Sequence, residues 1–181
     1  MCPDPNLKER INSFALVSYI PDPLSGFLNR LRQELVPNCF LRAHVTVLPP
    51  RPASAPTEVA LGQIRVAARS FRPFDVTLNG VEVFPCSDVI FISVGKGEQE
   101  LRQMHAAMNA GGLEFQERYP YHPHITLAQD LKCDELDELV RVARARWTAS
   151  DFPRTFRVEK LMFVQATLYK TWVDLGESPL T

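Results

Sequence analysis

His44-Val45-Thr46-Val47 and His124-Ile125-Thr126-Leu127 repeat one pattern, His, apolar, Thr, apolar, at positions 80 residues apart in a chain of 181. Each sits in a β-rich run. In a strand, successive side chains point to opposite faces. His44 and Thr46 therefore share one face, with Val45 and Val47 on the other, and the second copy divides the same way. A single His-x-Thr triplet is common by chance, whereas two copies in matching contexts make a constellation. The plainer reading is two half-buried strands whose polar faces happen to carry His and Thr.

Working outward, residues 14–20 (FALVSYI) read as a strand ended by Pro21. Asp22 suits a helix N-cap with Pro23 at the first helical position. Leu24, Phe27, Leu28, Leu31 and Leu35 recur at helical spacing, so 23–36 is expected to be an amphipathic helix. The first motif strand, 41–48, is closed by Pro49-Pro50-Arg51-Pro52, because proline cannot continue a ladder. A second helix opens at Thr57. Residues 74–84 alternate well but contain Asn79-Gly80, which fits either a two-residue hairpin turn or a bulge in one long strand. A strand at 89–94, a helix carrying Leu101, Met104 and Met108, the loop Tyr119-Pro120-Tyr121-His122-Pro123 and the second motif strand follow. A fourth helix at 134–147 is acidic in its first turn and basic at its end, which suits the helix dipole. Residues 156–165 and 169–175 read as paired strands.

The order strand, helix, His-x-Thr strand, helix, strand thus occurs twice. Val76 follows His44 by 32 residues, and Phe156 follows His124 by 32. We read this as an internal duplication within one domain spanning 1–181. The lobes run at about 13–84 and 89–165, with a final strand at about 169–175. A pseudo-twofold between them would bring both motif strands to one central cleft.

The bulk composition narrows the classes of function. With 45% hydrophobic residues the chain can bury a core, and a formal net charge of −1 offers no strongly basic surface for duplex DNA or a membrane. Cys2, Cys39, Cys86 and Cys133 form no C-x-x-C pair, which fits a reducing compartment rather than a zinc ribbon. The polar start MCPDPNLKER is unlike a signal peptide, and no apolar run approaches the ~18 residues of a membrane span. A cytoplasmic, soluble monomer is the expectation.

Imidazole can both take and give a proton near neutral pH. Two of them across a groove, His44 and His124, suit a general base and a general acid. Thr46 and Thr126 would offer neutral donors to phosphate oxygens or a developing oxyanion. With acid, base and donors all present, neither a metal nor any other cofactor is required. Arg42 and His122 each lie two residues before a motif His and so share the groove face by strand periodicity. Arg42 could bind a phosphate, Arg51 could reach the same mouth, and Tyr121 could stack on a base. Phe84 and Phe163 read as core, and His105 as structural or solvated. Two rival readings remain. His44, His122 and His124 could ligate zinc in a hydrolase, or the pocket could bind nucleotide without turnover.

The doubled motif resembles the two-histidine (2H) phosphoesterase superfamily, in its 2′-5′ RNA ligase-like and cyclic phosphodiesterase branch. The likeness extends to the Phe74…Gly80-Val81…Phe84-Pro85 segment and the Tyr121-His122-Pro123-His124 lead-in, and covers about residues 13–175. It implies a bilobal α+β fold in which each lobe is an antiparallel sheet with helices on its outer face. It also implies metal-independent action on 2′,3′-cyclic phosphates or 2′-5′-linked RNA or nucleotide ends. It does not single out one substrate.

Overall fold

Each motif forms the edge strand of its own four-stranded antiparallel sheet, and the two edge strands lie against each other. The computed structural model describes residues 9–85, 87–132 and 134–181. In chain order the elements are β1 (Arg10–Tyr19), α1 (Leu24–Leu35), β2 (His44–Arg51), α2 (Thr57–Ala68), β3 (Phe74–Val83) and β4 (Ile90–Val94). They continue with α3 (Glu98–Met108), β5 (His124–Ala128), α4 (Leu136–Thr148), β6 (Thr155–Val158), β7 (Lys160–Thr167) and β8 (Trp172–Pro179). The sheets run β2-β1-β7-β8 and β5-β4-β3-β6. Of the cysteines, Cys39 is described and is a free thiol; the other three lie outside the described residues.

The α+β architecture and its duplication are as read from the sequence, but the repeats at 13–84 and 89–165 do not map strand by strand onto the sheets. β3 leaves the first sheet to pair with β4, and β7 leaves the second to pair with β1. The helices cross over as well: α1 packs against β5, and α3 against β2. The exchange is reciprocal, as a twofold requires. It also revises the meaning of the 32-residue spacing, since Val76 and Phe156 are direct cross-strand partners rather than symmetry mates.

Residues 156–165, expected as one strand, are two. β6 pairs with β3 in one sheet and β7 with β1 in the other, the chain changing sheets at Glu159. The reason is a phase slip. Phe156 and Val158 are buried, and so are Leu161 and Phe163, so the inward face changes parity between 158 and 161. At 74–83 a single strand forms, with its register shift between Leu78 and Val81. The Asn79 carbonyl there accepts the Trp147 indole N–H at 2.6 Å. The N-cap position of α1 falls to Pro23 rather than Asp22, and Asp22, one residue earlier, still accepts the Gly26 N–H at 3.0 Å and the Ser25 hydroxyl at 2.6 Å.

The core joins both sheets and all four helices. Val45, Val47, Ile125 and Leu127 are all within 1% of full burial. At ~1.5–3 kcal/mol for burying each such side chain, a one-residue slip in either motif strand would forfeit that burial and drive His and Thr inward. The apolar half of each motif thus holds its polar half toward the cleft.

Candidate active site

In the first sheet Tyr19 pairs with His44 and Val17 with Thr46; in the second Ser93 pairs with His124 and Phe91 with Thr126. His44, Thr46, His124 and Thr126 all line one cleft of about 650 Å³ between the sheets. His44 is 8% exposed, and the other three are half-buried.

Both imidazoles are oriented by the same contact. His44 Nδ1 lies 2.6 Å from the Arg42 carbonyl oxygen, and His124 Nδ1 lies 2.7 Å from that of His122. A carbonyl oxygen only accepts, so Nδ1 carries the hydrogen in each ring. The neutral tautomer therefore has its lone pair on Nε2, the nitrogen free for proton transfer. The backbone two residues before each motif His thus fixes the tautomer of the ring.

Aromatic walls stand beside both rings. Trp172 of β8 lies against His44 with centroids 4.7 Å apart, and Phe84 meets His124 edge-on at 5.0 Å, itself stacked on Phe91 at 4.0 Å. Their burial of the site pushes both imidazoles toward the neutral form. For His44, burial comes first and the Arg32 guanidinium second, and its pKa falls to about 3 despite the opposing bond to the Arg42 carbonyl. His124 is lowered by burial, with the His122 ring adding to it and the His122 carbonyl resisting.

The other sequence candidates divide. His122 and Tyr121 line the cleft. Tyr121 is stacked on His105 at 4.0 Å, nearly parallel, and its hydroxyl donates to the Thr46 carbonyl at 2.7 Å. The Arg42 guanidinium turns away, lying over the Tyr19 ring at 3.6 Å and bonding Asp174 at 2.5 Å. Its contribution to the site is its main-chain carbonyl. Arg51 does not reach the mouth. Its side chain is 1% exposed, paired with Glu117, and bonded to Asn109 at 2.6 Å and to the Pro49 and Leu113 carbonyls. A guanidinium so enclosed has no surface for a substrate. His105 is structural, its Nδ1 on the Val47 carbonyl at 2.8 Å and its Nε2 3.5 Å from Glu117. The zinc reading finds no support in geometry: among the described residues no three His, Cys, Asp or Glu side chains converge as a metal site.

Three lining residues escaped the sequence reading. Phe84 is a cleft wall, not core, while Phe163 is buried on Phe14 as expected. Trp172 reaches the first motif only because β8 is added beside β7. Arg32, which lies outside the apolar spacing of α1, is nevertheless 4% exposed and lines the cleft.

The model of the 2′-5′ RNA ligase superfamily matches residues 20–168. The chain belongs to that superfamily, the two-histidine phosphoesterases. A protein of Oceanobacillus iheyensis provisionally named a phosphoesterase is 28% identical over 114 residues, 61% of this chain and 66% of that one. The Aeropyrum pernix protein named RNA 2′,3′-cyclic phosphodiesterase is 31% identical over 107 residues, 56% of this chain and 60% of that one. The crystal structure of E. coli LigT complexed with 3′-AMP superposes with a TM-score of 0.63 at 17% identity, covering 96% of this chain and 98% of that one, a likeness of fold. Among the described residues no helix is long and apolar enough to cross a membrane.

Proposed function

We propose that this protein is a metal-independent phosphoesterase acting on 2′,3′-cyclic phosphate or 2′-5′-linked RNA or nucleotide ends, with His44 and His124 as its acid–base pair. The observation that carries this reading is the matched commitment of both Nδ1 atoms to carbonyl oxygens, which leaves two Nε2 atoms for one cleft. The named activity of the Aeropyrum relative supports the substrate class.

In hydrolysis of a cyclic phosphate, the neutral ring accepts a proton at Nε2 from water as the water oxygen bonds to phosphorus. The other ring, protonated, gives its Nε2 hydrogen to the ribose oxygen as the P–O bond breaks. The products are a phosphomonoester and a free ribose hydroxyl. The two rings finish with protonation states exchanged and reset through solvent. The Thr46 and Thr126 hydroxyls donate to the non-bridging oxygens, where charge grows in the transition state. Burial holds both rings neutral in the free protein, and the phosphodiester anion favours the one proton that the reaction needs.

The test is incubation with 2′,3′-cyclic nucleotides and with RNA ends bearing a 2′,3′-cyclic phosphate, with and without EDTA. A phosphomonoester product formed at equal rates under both conditions is expected. Tight binding without turnover would make the protein a nucleotide-binding module, and loss of activity in EDTA would favour a metallohydrolase.

A further inference from the structure

The two half-sites are alike down to their backbone contacts, and they differ in one charge. The Arg42 carbonyl oxygen that holds His44 Nδ1 at 2.6 Å also accepts Nη1 of Arg32 at 3.2 Å. The same Nη1 bonds the Leu41 carbonyl at 3.0 Å, three residues before His44. In the other half the helix α3 supplies Arg102, whose Nη1 bonds the Tyr121 carbonyl, three residues before His124. The parallel stops there. Arg102 is exposed and neutralised by Glu98, with Nε at 2.9 Å and Nη2 at 2.7 Å from the carboxylate. Arg32 is 4% exposed, has no carboxylate within ion-pair distance among the described residues, and has a buried Nε without a hydrogen-bond partner. The His122 carbonyl that holds His124 has no second donor among the described residues.

A buried cation without a counter-ion is costly, and it repels a second positive charge placed beside it. Its donor on the Arg42 carbonyl also draws on the oxygen that would otherwise stabilise an imidazolium. The remaining charged or titratable groups on this side of the cleft are Cys39 and Arg42 before β2, Tyr19 of β1, Asp174 of β8, His124 of β5 and Glu117. Asp174 is committed to Arg42 and Tyr19, and Glu117 to Arg51 and His105. None offsets Arg32.

We propose that Arg32 is a positioning residue that makes the pseudo-symmetric pair unequal, holding His44 as the neutral proton acceptor and leaving His124 to carry the proton for the leaving oxygen. This rests on the two-histidine reading above. The burial and the Arg32 charge that lower His44 act in the same direction.

The experiment follows imidazole ¹H–¹⁵N signals of the free protein as pH falls from 8 to 2.5, a range that includes the lowered His44 midpoint, with assignments from His→Gln variants. In the wild type, His124 should gain its proton at higher pH than His44. Arg32→Gln keeps an N–H donor for the two carbonyls and removes the charge, and should raise the His44 midpoint by about one unit, with a much smaller change at His124. Arg32→Lys should restore the wild-type order. A merely structural Arg32 would lower Tm and leave the titration order alone. His44 titrating at or above His124 in the wild type, or a His44 midpoint unmoved in Arg32→Gln, would overturn the proposal; if Arg32→Gln fails to fold, the wild-type order decides. None of these readings requires turnover, so an inactive protein with the expected order would remove the catalytic roles together with the enzyme reading and leave the Arg32-dependent inequality of the two rings standing.

Discussion

The Tyr121 hydroxyl donates to the main-chain carbonyl oxygen of Thr46 at 2.7 Å, tying the loop before the second motif to the strand of the first. His105, on which Tyr121 stacks, bonds the next carbonyl along, that of Val47. One motif strand is thus braced by the lead-in to the other. Tyr121→Phe keeps the stack and removes one hydrogen bond, which contributes ~0.5–1.5 kcal/mol net. We expect kcat/KM on a cyclic nucleotide to fall ~2–10-fold, with KM nearly unchanged. A loss of ~10³ would place the hydroxyl on the reacting groups instead.

Arg51→Met should reveal a stability role. It leaves the Glu117 carboxylate, which is 15% exposed, without its main cationic partner. Breaking a buried ion pair by removing one partner costs ~3–5 kcal/mol. Urea unfolding should show that loss, while KM of the folded variant stays near wild type. A variant of normal stability with a strongly raised KM would return Arg51 to the substrate.

His44 also links stability to pH. Its pKa in the folded protein, about 3, lies below its ordinary value. As pH falls, the unfolded chain takes up this proton first, so stability rises with pH across that window. The contribution is complete above ~6.5, the unperturbed imidazole value, and is lost progressively toward about 3. In urea titrations between pH 7 and 4, wild type should lose stability more steeply than His44→Gln. Parallel slopes would mean that His44 is not held neutral.

Thr46→Ala and Thr126→Ala should each lower kcat by ~10–10³, at or below the cost of losing one oxyanion donor. Tm should change little, because both side chains face the cleft rather than the core. If kcat is untouched in both, the hydroxyls are not phosphate donors.

Much of this was legible in the chain because period-2 burial leaves few choices. Val45, Val47, Ile125 and Leu127 had to face inward, so His and Thr had to face out. The strand exchange was not legible, since β3 and β7 have the same alternation whichever sheet receives them; its trace was the parity change between Val158 and Leu161. Arg51, expected at the substrate mouth, and Arg32, for which no role was expected, were illegible for one reason. What an arginine at a strand end or on a helix does depends on partners that local pattern does not give. The partners here, Glu117 and the Leu41 and Arg42 carbonyls, are supplied by the tertiary fold. Trp172 and Phe84 became site residues through sheet order, which local pattern does not encode.

The most direct test of the central claim is kcat/KM of His44→Ala and His124→Ala, singly and together, on one 2′,3′-cyclic-phosphate substrate. General acid–base catalysis contributes ~10²–10⁴, so each single variant should lose that much. The double variant should lose less than the product of the two, since the rings act as a unit. A near wild-type rate in either single variant would contradict the two-histidine mechanism.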